Sequence, residues 1–319
     1  MATIQKICAA ALAIALTTVG VLAREQGSGA APAAGQATAR VAVGVVCEGG
    51  MLLPIARRSQ GAWRSLTDDE KAEVGVPLKL TSEATSLPRA GWTIVPFDAN
   101  VTSRILNLEG SAVVDDASAC TDQEGFRTDA PANARSRRPT DFIGIAVMGR
   151  VMVERVETVQ HLPDPSSRRV GSLVVQLVQA LEAERVEASA TGRFVPSASQ
   201  RARTPVDLDN MWRHRHGEND WYYFAAQKDY TNFDDTGNTL VKGWIVAAAS
   251  GNGASLMKVG VSVGNALDGV TVQTHALGVL RVDDRAIWIL DELTYESRKF
   301  ELVDIPSSQR QPVCILRGC

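Results

Sequence analysis

The sequence predicts an α+β fold dominated by strands, in which an antiparallel β-meander is covered by one amphipathic helix and preceded by a smaller β-rich region. Short runs of β-branched and aromatic residues, separated by polar turns, fill residues 205–305 and predict the meander. Residues 166–192 instead repeat their apolar residues at helical spacing. Because a helix beside a sheet buries its apolar stripe there, we expect this helix to cover the meander.

The chain begins with the pattern of a secretory signal peptide in residues 1–23. Lys6 is the only charge before Arg24, and the apolar run between them ends in Val21-Leu22-Ala23. A cationic start, a short apolar run and small residues before the cleavage point are typical of such signals. We expect cleavage after Ala23 and export to the periplasm or the secreted space. The alternative is an uncleaved membrane anchor, for which the run is short.

Residues 24–40 are rich in Ala and Gly and are predicted to be a flexible spacer. No later stretch is apolar for long enough to cross a bilayer, so we expect no membrane span after signal cleavage. The net charge is −3 for the whole chain and becomes −4 once Lys6 leaves with the signal. A negative balance argues against a nucleic-acid partner, since phosphate binding needs a concentrated positive surface.

The N-terminal region, residues 41–165, is predicted to be rich in strands. Val41–Cys47 and Met51–Ala56 flank the turn sequence Glu48-Gly49-Gly50 and predict a β-hairpin. Further strand-like runs lie at 91–97, 103–114 and 141–159. Residues 120–140 are polar and rich in Pro and Arg, and we expect a long surface loop there.

The helix predicted at 166–192 carries one apolar stripe. Its members recur three and four residues apart: Val170, Leu173, Val174, Leu177, Val178 and Leu181. Ser166 or Ser167 is expected to cap the start, and Gly192 lies just beyond the end. We interpret the stripe as a packing face against the sheet.

The meander predicted at 205–305 contains six strand-like runs joined by short turns. They lie at 221–230, 240–250, 255–265, 269–282, 285–297 and 299–305. The alternation is clearest in the third run, where one face carries Met257, Val259, Val261 and Val263. Short polar turns between such runs are typical of antiparallel hairpins.

Four cysteines remain after cleavage of the signal: Cys47, Cys120, Cys314 and Cys319. An even number of cysteines in an exported chain predicts two disulfides, and four cysteines allow three pairings. We expect Cys47 to pair with Cys120, and Cys314 with Cys319 in a Cys-containing tail at 306–319. The alternative is that some of these thiols stay free.

One stretch, "MWRHRHGENDWYYF" (211–224), concentrates side chains with ligand chemistry. His214 and His216 are two residues apart, so on a strand they point to the same side, and Glu218 continues that alternation. Imidazole and carboxylate groups are ligands that zinc accepts. Two features argue against a metal site, because arginines flank the histidines and Gly217 interrupts the strand. We therefore expect no cofactor; the alternative is that zinc or a similar ion binds His214, His216 and Glu218.

The aromatic half of that stretch suggests a second hypothesis. On a strand, Trp221 and Tyr223 lie on one face. Tyr222 and Phe224 lie on the other. One face is expected in the core, and Trp221 and Tyr223 are a candidate platform for a glycan, a peptide or an envelope protein. The alternative is ordinary core or rim packing of these aromatic residues.

Motifs for covalent catalysis are weak in this chain. The G-x-S-x-G match at 260–264 lies inside the alternating strand-like run 255–265, whereas the catalytic form of this motif makes a sharp turn from a strand into a helix. The S-x-x-K match at Ser255 and Lys258 lies in an alternating strand, where residues three apart face opposite sides. Acidic doublets occur at Asp115-Asp116, Asp234-Asp235 and Asp291-Glu292. Because the carboxylates of a glycosidase meet only in the fold, such a pair stays open as a hydrolase site.

One modification signal lies outside these stretches. Asn100-Val101-Thr102 is an acceptor sequence for N-linked glycosylation. It matters in a host that glycosylates such sites.

Two apolar stretches have a distinctive order of residues. "VGVVCEGGMLLPIARRSQGAW" (43–63) contains a strand, a Gly turn, an apolar-Pro-apolar-Ala run and then Gly-x-Trp. "WYYFAAQKDY" (221–230) is followed by "GWI" (243–245). Together they resemble segments of uncharacterised exported bacterial proteins. The resemblance implies export; it implies no catalytic residue, because those proteins have no established activity.

The sequence therefore favours an exported protein of the periplasm, envelope or secreted space that binds or scaffolds without enzymatic activity. The signal, the expected disulfides and the weak catalytic motifs support this interpretation. The alternative is an exported hydrolase whose carboxylates or metal ligands assemble only in the fold.

Overall fold

Strands dominate the structure, as the sequence predicts. A computed structural model describes residues 41–68, 79–116, 121–130, 142–159, 164–188, 196–230, 239–250, 253–265, 273–293, 297–305, 307 and 310–317. Among those residues, eighteen strands form three antiparallel sheets, and three helices are present. The strand-dominated α+β fold class is therefore confirmed.

The strands and helices follow one another closely along the chain. In order they are β1 (Val41–Cys47), β2 (Met51–Ser59), β3 (Ala62–Ser65), α1 (Ser82–Thr85), β4 (Trp92–Pro96), β5 (Arg104–Leu106), β6 (Leu108–Asp116), β7 (Thr121–Thr128), β8 (Phe142–Met148), β9 (Met152–Glu154), β10 (Glu157–Thr158), α2 (Pro165–Ala188), α3 (Ala198–Arg203), β11 (Asp207–His216), β12 (Asn219–Asp229), β13 (Thr239–Ser250), β14 (Gly253–Asn265), β15 (Gln273–Val282), β16 (Arg285–Leu293), β17 (Ser297–Asp304) and β18 (Arg310–Arg317).

These strands are divided among an N-terminal sheet, a central sheet and a helix-bound sheet. The N-terminal sheet has the order β5-β4-β8-β1-β2-β7-β6, with β3 paired to β2. The helix-bound sheet has the order β10-β11-β12-β13-β14, and the central sheet has the order β18-β17-β16-β15-β9. The predicted hairpin of β1 and β2 is confirmed, with Val45 opposite Leu53.

The three sheets are stacked, and the central sheet is covered on both faces. Val45 of β1 and Ile289 of β16 belong to one buried cluster between the N-terminal and central sheets. Trp288 of β16 and Tyr223 of β12 belong to a second cluster between the central and helix-bound sheets. Val174 of α2 lies in a third cluster, on the far face of the helix-bound sheet. Burial on both faces explains why the central strands are almost continuously apolar.

Residues 141–159, predicted as one strand, instead form three short strands in three different sheets. β8 lies in the N-terminal sheet, β9 in the central sheet and β10 in the helix-bound sheet. Gly149 has φ of 94°, and the Val151 N–H donates to its carbonyl at 3.0 Å, so the chain turns sharply after β8. Glycine adopts this φ without steric strain. This one segment therefore connects all three layers.

The prediction of a surface loop at 120–140 is wrong for the first part of this range, because residues 121–128 form β7. This strand pairs with β6 along its length and with the start of β2. Phe126 is buried in the same cluster as Leu52 and anchors an otherwise polar run. Residues 131–141 lie outside the described residues.

The predicted helix is confirmed as α2, and its stripe faces the helix-bound sheet. The three valines of the stripe are fully buried, and its leucines are half-buried. The cap differs from the prediction, because Asp164 Oδ1 accepts a hydrogen bond from the Ser167 N–H at 2.8 Å. Asp164 takes the capping position, since Pro165 suits the first helical turn and has no N–H to satisfy.

The predicted meander is divided between two sheets. Its first three runs become β12, β13 and β14 of the helix-bound sheet, and its last three become β15, β16 and β17 of the central sheet. Alternation marks strands, but it does not reveal which strands share a sheet. The side chains of the stripe from Met257 to Val263 lie outside the part that the structure describes.

Some expectations fall outside the described residues. These concern the signal peptide (1–23), the spacer (24–40), Cys120, Cys319 and the side chain of Cys314. Cys47 is buried at the end of β1, and the two disulfides stay predictions. No helix among the described residues is long and apolar enough to cross a membrane.

Candidate functional site

The histidine-rich stretch forms the end of β11, a tight turn and the start of β12. His216 pairs with Asn219 across the hairpin, so Gly217 and Glu218 make a two-residue turn. Gly217 has φ of 63°, a value that turns of this length require and glycine adopts readily. Glu218 is therefore exposed in the turn, and the strand alternation that would align it with the histidines ends at Gly217.

His214 is buried against the central sheet, with 6 % of its surface exposed. Its Nε2 lies 3.2 Å from Glu154 Oε2, without the geometry of a hydrogen bond. Its ring meets Trp288 edge-on, with 5.9 Å between the ring centroids. Burial, and secondarily His216 and Arg281, lower the pKa of His214 to about 4. The ring is therefore neutral at pH 7.

His216 is held by an arginine. Arg281 Nη1 is hydrogen-bonded to His216 Nδ1, and Arg281 Nε lies 3.8 Å from Glu154 Oε1. A guanidinium this close to the ring nitrogen repels a metal cation. Within the described part of the chain, no group of three or more His, Cys, Asp or Glu side chains is placed to hold a metal ion. The structure thus does not bring His214, His216 and Glu218 together as the zinc site that the spacing suggested.

The predicted aromatic platform is instead part of the core. Trp221 and Tyr223 are buried against the central sheet, in the same cluster as Trp288. Tyr222 and Phe224, on the opposite face, are buried under α2. Both faces of β12 are covered, so neither Trp221 nor Tyr223 is available as a surface for a ligand. Alternation correctly separates the two pairs, but it carries no information about a second layer on each face.

Asp291 and Glu292, adjacent on β16, point to opposite faces of the central sheet, and each binds a cation of β17. Arg298 donates twice to Asp291, from Nε to Oδ1 and from Nη2 to Oδ2, both at 2.8 Å. The Arg298 guanidinium also lies over the Phe142 ring, 4.1 Å from its centroid. Both charged groups are buried, so this pair is a desolvated bidentate salt bridge.

On the other face, Glu292 and Glu301 share one lysine. Lys299 Nζ lies 3.0 Å from Glu292 Oε2 and 2.6 Å from Glu301 Oε1. Tyr223 Oη donates a hydrogen bond of 3.4 Å to Glu292 Oε1. Burial alone lowers the pKa of Lys299, but the two carboxylates outweigh burial and raise it. Lys299 is thus an ammonium ion that pairs with two carboxylates.

A third buried ionic group, which no sequence motif predicts, lies beneath α2. Lys228 Nζ donates to Glu182 Oε2 and to the Arg201 carbonyl, both at 2.7 Å. Tyr230 Oη donates to Glu182 Oε1, and burial followed by this bond raises the pKa of Tyr230. Glu182 follows Val178 by one helical turn and so lies on the same face of α2 as the apolar stripe. The position of Glu182 on this face predicts that its side chain is buried.

An open groove lies beside the first two turns of α2; we call it the α2 groove. Its volume is about 540 Å³, and it is lined by Pro165, Arg168, Arg169, Ser172 and Leu173. Arg168 is exposed and Leu173 is half-buried, so the groove combines positive charge with apolar surface. A volume of this size falls within the range of ligand-binding clefts.

Comparisons with known proteins do not assign a role to this arrangement. The chain matches no protein-family model, no curated protein and no solved structure. A proposal for its function therefore depends on the chain's own residues.

Proposed function

We propose that this chain is an exported protein of the periplasm, envelope or secreted space that binds a partner without catalysing a reaction. Two ion pairs carry the proposal: Asp291–Arg298 and Glu292–Lys299. A general acid or base must exchange a proton with a substrate, so its carboxyl group has to be within reach. Both acids of this doublet are buried and paired with cations, which favours a structural role over the role that a hydrolase would need.

The residues of these ion pairs also support a scaffold, because two of them contact the neighbouring layers of the molecule. Arg298 of the central sheet packs on Phe142 of the N-terminal sheet. Tyr223 of the helix-bound sheet donates to Glu292 of the central sheet. Sliding of one layer past the next would break these two contacts between buried groups, so the contacts oppose such sliding. The result is a rigid frame that presents a surface to a partner.

The surface that we assign to the partner is the α2 groove. Arg168 and Arg169 bring two guanidinium groups to the lining of the groove, on a chain whose net charge is −3. Guanidinium groups bind carboxylates in a bidentate geometry. Pro165 and Leu173 add apolar contact beside them. This combination fits a peptide segment of an envelope protein in which acidic and apolar residues alternate.

Binding is tested with a fluorescent peptide of alternating Glu and Leu and with its Gln–Leu counterpart. Anisotropy titration should show about tenfold tighter binding of the Glu peptide, and added salt should weaken it by screening the arginines. Arg168→Glu combined with Arg169→Glu should abolish the preference, whereas Arg64→Glu, at an exposed position of β3, should keep it. Equal affinity of the wild-type protein for the two peptides would contradict the assignment.

Export is tested on the full chain, expressed in a bacterial host that has a periplasm. We expect the protein in the periplasmic or secreted fraction, with an N-terminus at Arg24. Ala23→Leu places a large residue before the cleavage point and should leave the signal attached. A wild-type chain that stays in the cytoplasm and still begins at Met1 would refute export.

A further inference from the structure

The turn between β4 and β5 carries a glycosylation sequon that the fold leaves exposed. Asn100, Val101 and Thr102 are all exposed. Acceptor asparagines of this kind belong to surface loops of exported proteins. The Asn100 N–H donates to Asp98 Oδ1 at 2.9 Å, and the Val101 N–H donates to the Asp98 carbonyl at 3.1 Å. The sequon therefore lies in a turn of defined shape.

Arg155 holds this turn against the body of the protein. Its guanidinium donates to the carbonyls of Pro96 at 3.2 Å, Asp98 at 3.3 Å and Val101 at 3.5 Å. The backbone that carries the exposed Asn100 is therefore fixed against the body of the protein.

The surface next to this turn has two features that folded proteins usually cover. β5 is an edge strand of the N-terminal sheet. Val101 is 48 % and Ile105 is 66 % exposed, and they are two of the four large apolar side chains exposed among the described residues. Edge strands and exposed apolar residues both promote association between chains.

We infer that Asn100 is the attachment site of an N-linked oligosaccharide that covers Val101, Ile105 and the edge of β5. The inference rests on the proposed export, which brings the chain to membrane-bound glycosylation enzymes. A bulky, hydrated sugar chain makes such a surface soluble.

The transfer needs a donor, an oligosaccharide linked to a lipid pyrophosphate. The bond between C1 of the first sugar and the pyrophosphate oxygen breaks, and the lipid pyrophosphate leaves with the electron pair. C1 forms a bond to Asn100 Nδ2, and the proton that Nδ2 loses is released to the solvent. The side-chain amide becomes a substituted amide, and nothing is oxidised or reduced.

Transfer is tested in vitro on the purified, folded protein with a bacterial oligosaccharyltransferase and a lipid-pyrophosphate-linked oligosaccharide. Intact mass and peptide mapping should show one glycan at Asn100 in the wild type and none in Asn100→Gln or Thr102→Ala. Asn107 lies outside any sequon and donates through Nδ2 to Asp129 Oδ2 at 3.0 Å, so it should stay unmodified.

A synthetic peptide of residues 96–104 is the positive control. Modification of the peptide but not of the folded protein would overturn the inference, because the fold would then hide the site. Modification of neither would overturn it as well, because the sequon would not be an acceptor. Glycan transfer in vitro does not require secretion, so the two proposals fail in different ways. Failure of transfer gives an unmodified Asn100, whereas failure of export gives a chain that begins at Met1.

The covering role is tested by comparing the glycosylated and unglycosylated proteins on mild heating. Light scattering should rise several-fold more slowly when the glycan is present. In Ile105→Lys the unglycosylated protein should already aggregate slowly, so the glycan should add little. Equal aggregation rates of the two wild-type forms would overturn the covering role.

Discussion

Strand β12 carries charge at both ends, and the two ends lie in opposite environments. At its start, Asp220 Oδ1 lies 3.9 Å from Arg215 Nη1 across the hairpin, and the side chain of Arg215 is 72 % exposed. At its far end, Lys228 Nζ lies 2.7 Å from Glu182 Oε2, and the side chain of Lys228 is 0 % exposed. Each end thus has one pair of opposite charges, which is exposed to water at the start of the strand and buried in the core at its far end.

Solvent decides what each pair contributes to stability. An exposed pair is screened by water and salt and contributes roughly 0–1 kcal/mol. A buried pair has lost its water, so removing one partner leaves a charge in a medium of low dielectric constant and costs about 3–5 kcal/mol. The end of β12 that contains Asp220 should therefore matter little to stability, and the end that contains Lys228 should matter most.

The largest effect is expected from Lys228→Met. Loss of the ammonium group leaves the Glu182 carboxylate buried, with Tyr230 as its remaining donor among the residues that the structure describes. The Arg201 carbonyl loses the Lys228 donor too. The free energy of unfolding should fall by about 3–5 kcal/mol at pH 7. Urea unfolding followed by circular dichroism measures this change.

The double variant Lys228→Met with Glu182→Met is the matched control. It removes both charges and keeps apolar side chains of similar length, so part of the lost stability should return. About 1–3 kcal/mol should stay missing, because the Tyr230 hydroxyl is left without its acceptor. If the single variant were as stable as the double variant, the pair would not be desolvated, and the contrast between the two ends of β12 would fail.

His214 is intermediate, because it is buried near the exposed end but carries no charge at pH 7. Its pKa is about 4 in the folded protein, against about 6.5 for an unfolded histidine. Folding favours the neutral ring, so its contribution to stability is fully present above pH 6.5 and is lost as the pH falls through 4. The loss should reach about 2–3 kcal/mol by pH 4.

His214→Phe tests this by removing the titrating group while keeping a flat ring beside Trp288. Between pH 7 and pH 4 the free energy of unfolding should fall in both proteins. The fall should be about 2–3 kcal/mol smaller in His214→Phe than in the wild type. Asp164 and Asp304, whose pKa values are lowered, titrate in both proteins and cancel in the difference. Parallel pH profiles would show that burial does not hold His214 neutral.

The elements that could be predicted from sequence depend on local spacing of apolar residues. The β1–β2 hairpin, α2 and the strands of the meander all have such spacing. The stacking of three sheets could not be predicted, because alternation looks the same whichever sheet a strand joins. β7 was missed because Phe126 is the single large apolar side chain in a polar run. The sequence predicts β8, β9 and β10 as one strand, because Gly149 hardly interrupts the apolar run that contains them.

The candidate site was difficult to predict for a related reason. His214 and His216 have ligand chemistry, but Arg281, which bonds His216 and repels a cation, comes from a distant part of the chain. Lys228 and Glu182 fall on the faces of β12 and α2 that the apolar pattern marks as buried. The burial of both side chains could therefore be predicted from the sequence. The contact between them could not, because it depends on how α2 crosses the sheet.

The smallest effect is expected at the exposed end of β12, from Arg215→Gln. This change removes the charge that faces Asp220, and the free energy of unfolding should change by less than about 0.5 kcal/mol. Any change should disappear in about 1 M salt, where exposed charges are screened within a few ångströms. Urea unfolding at low and high salt measures both. A larger loss that salt does not alter would mean that this end of β12 is also desolvated, and solvent would no longer explain the difference between Arg215 and Lys228.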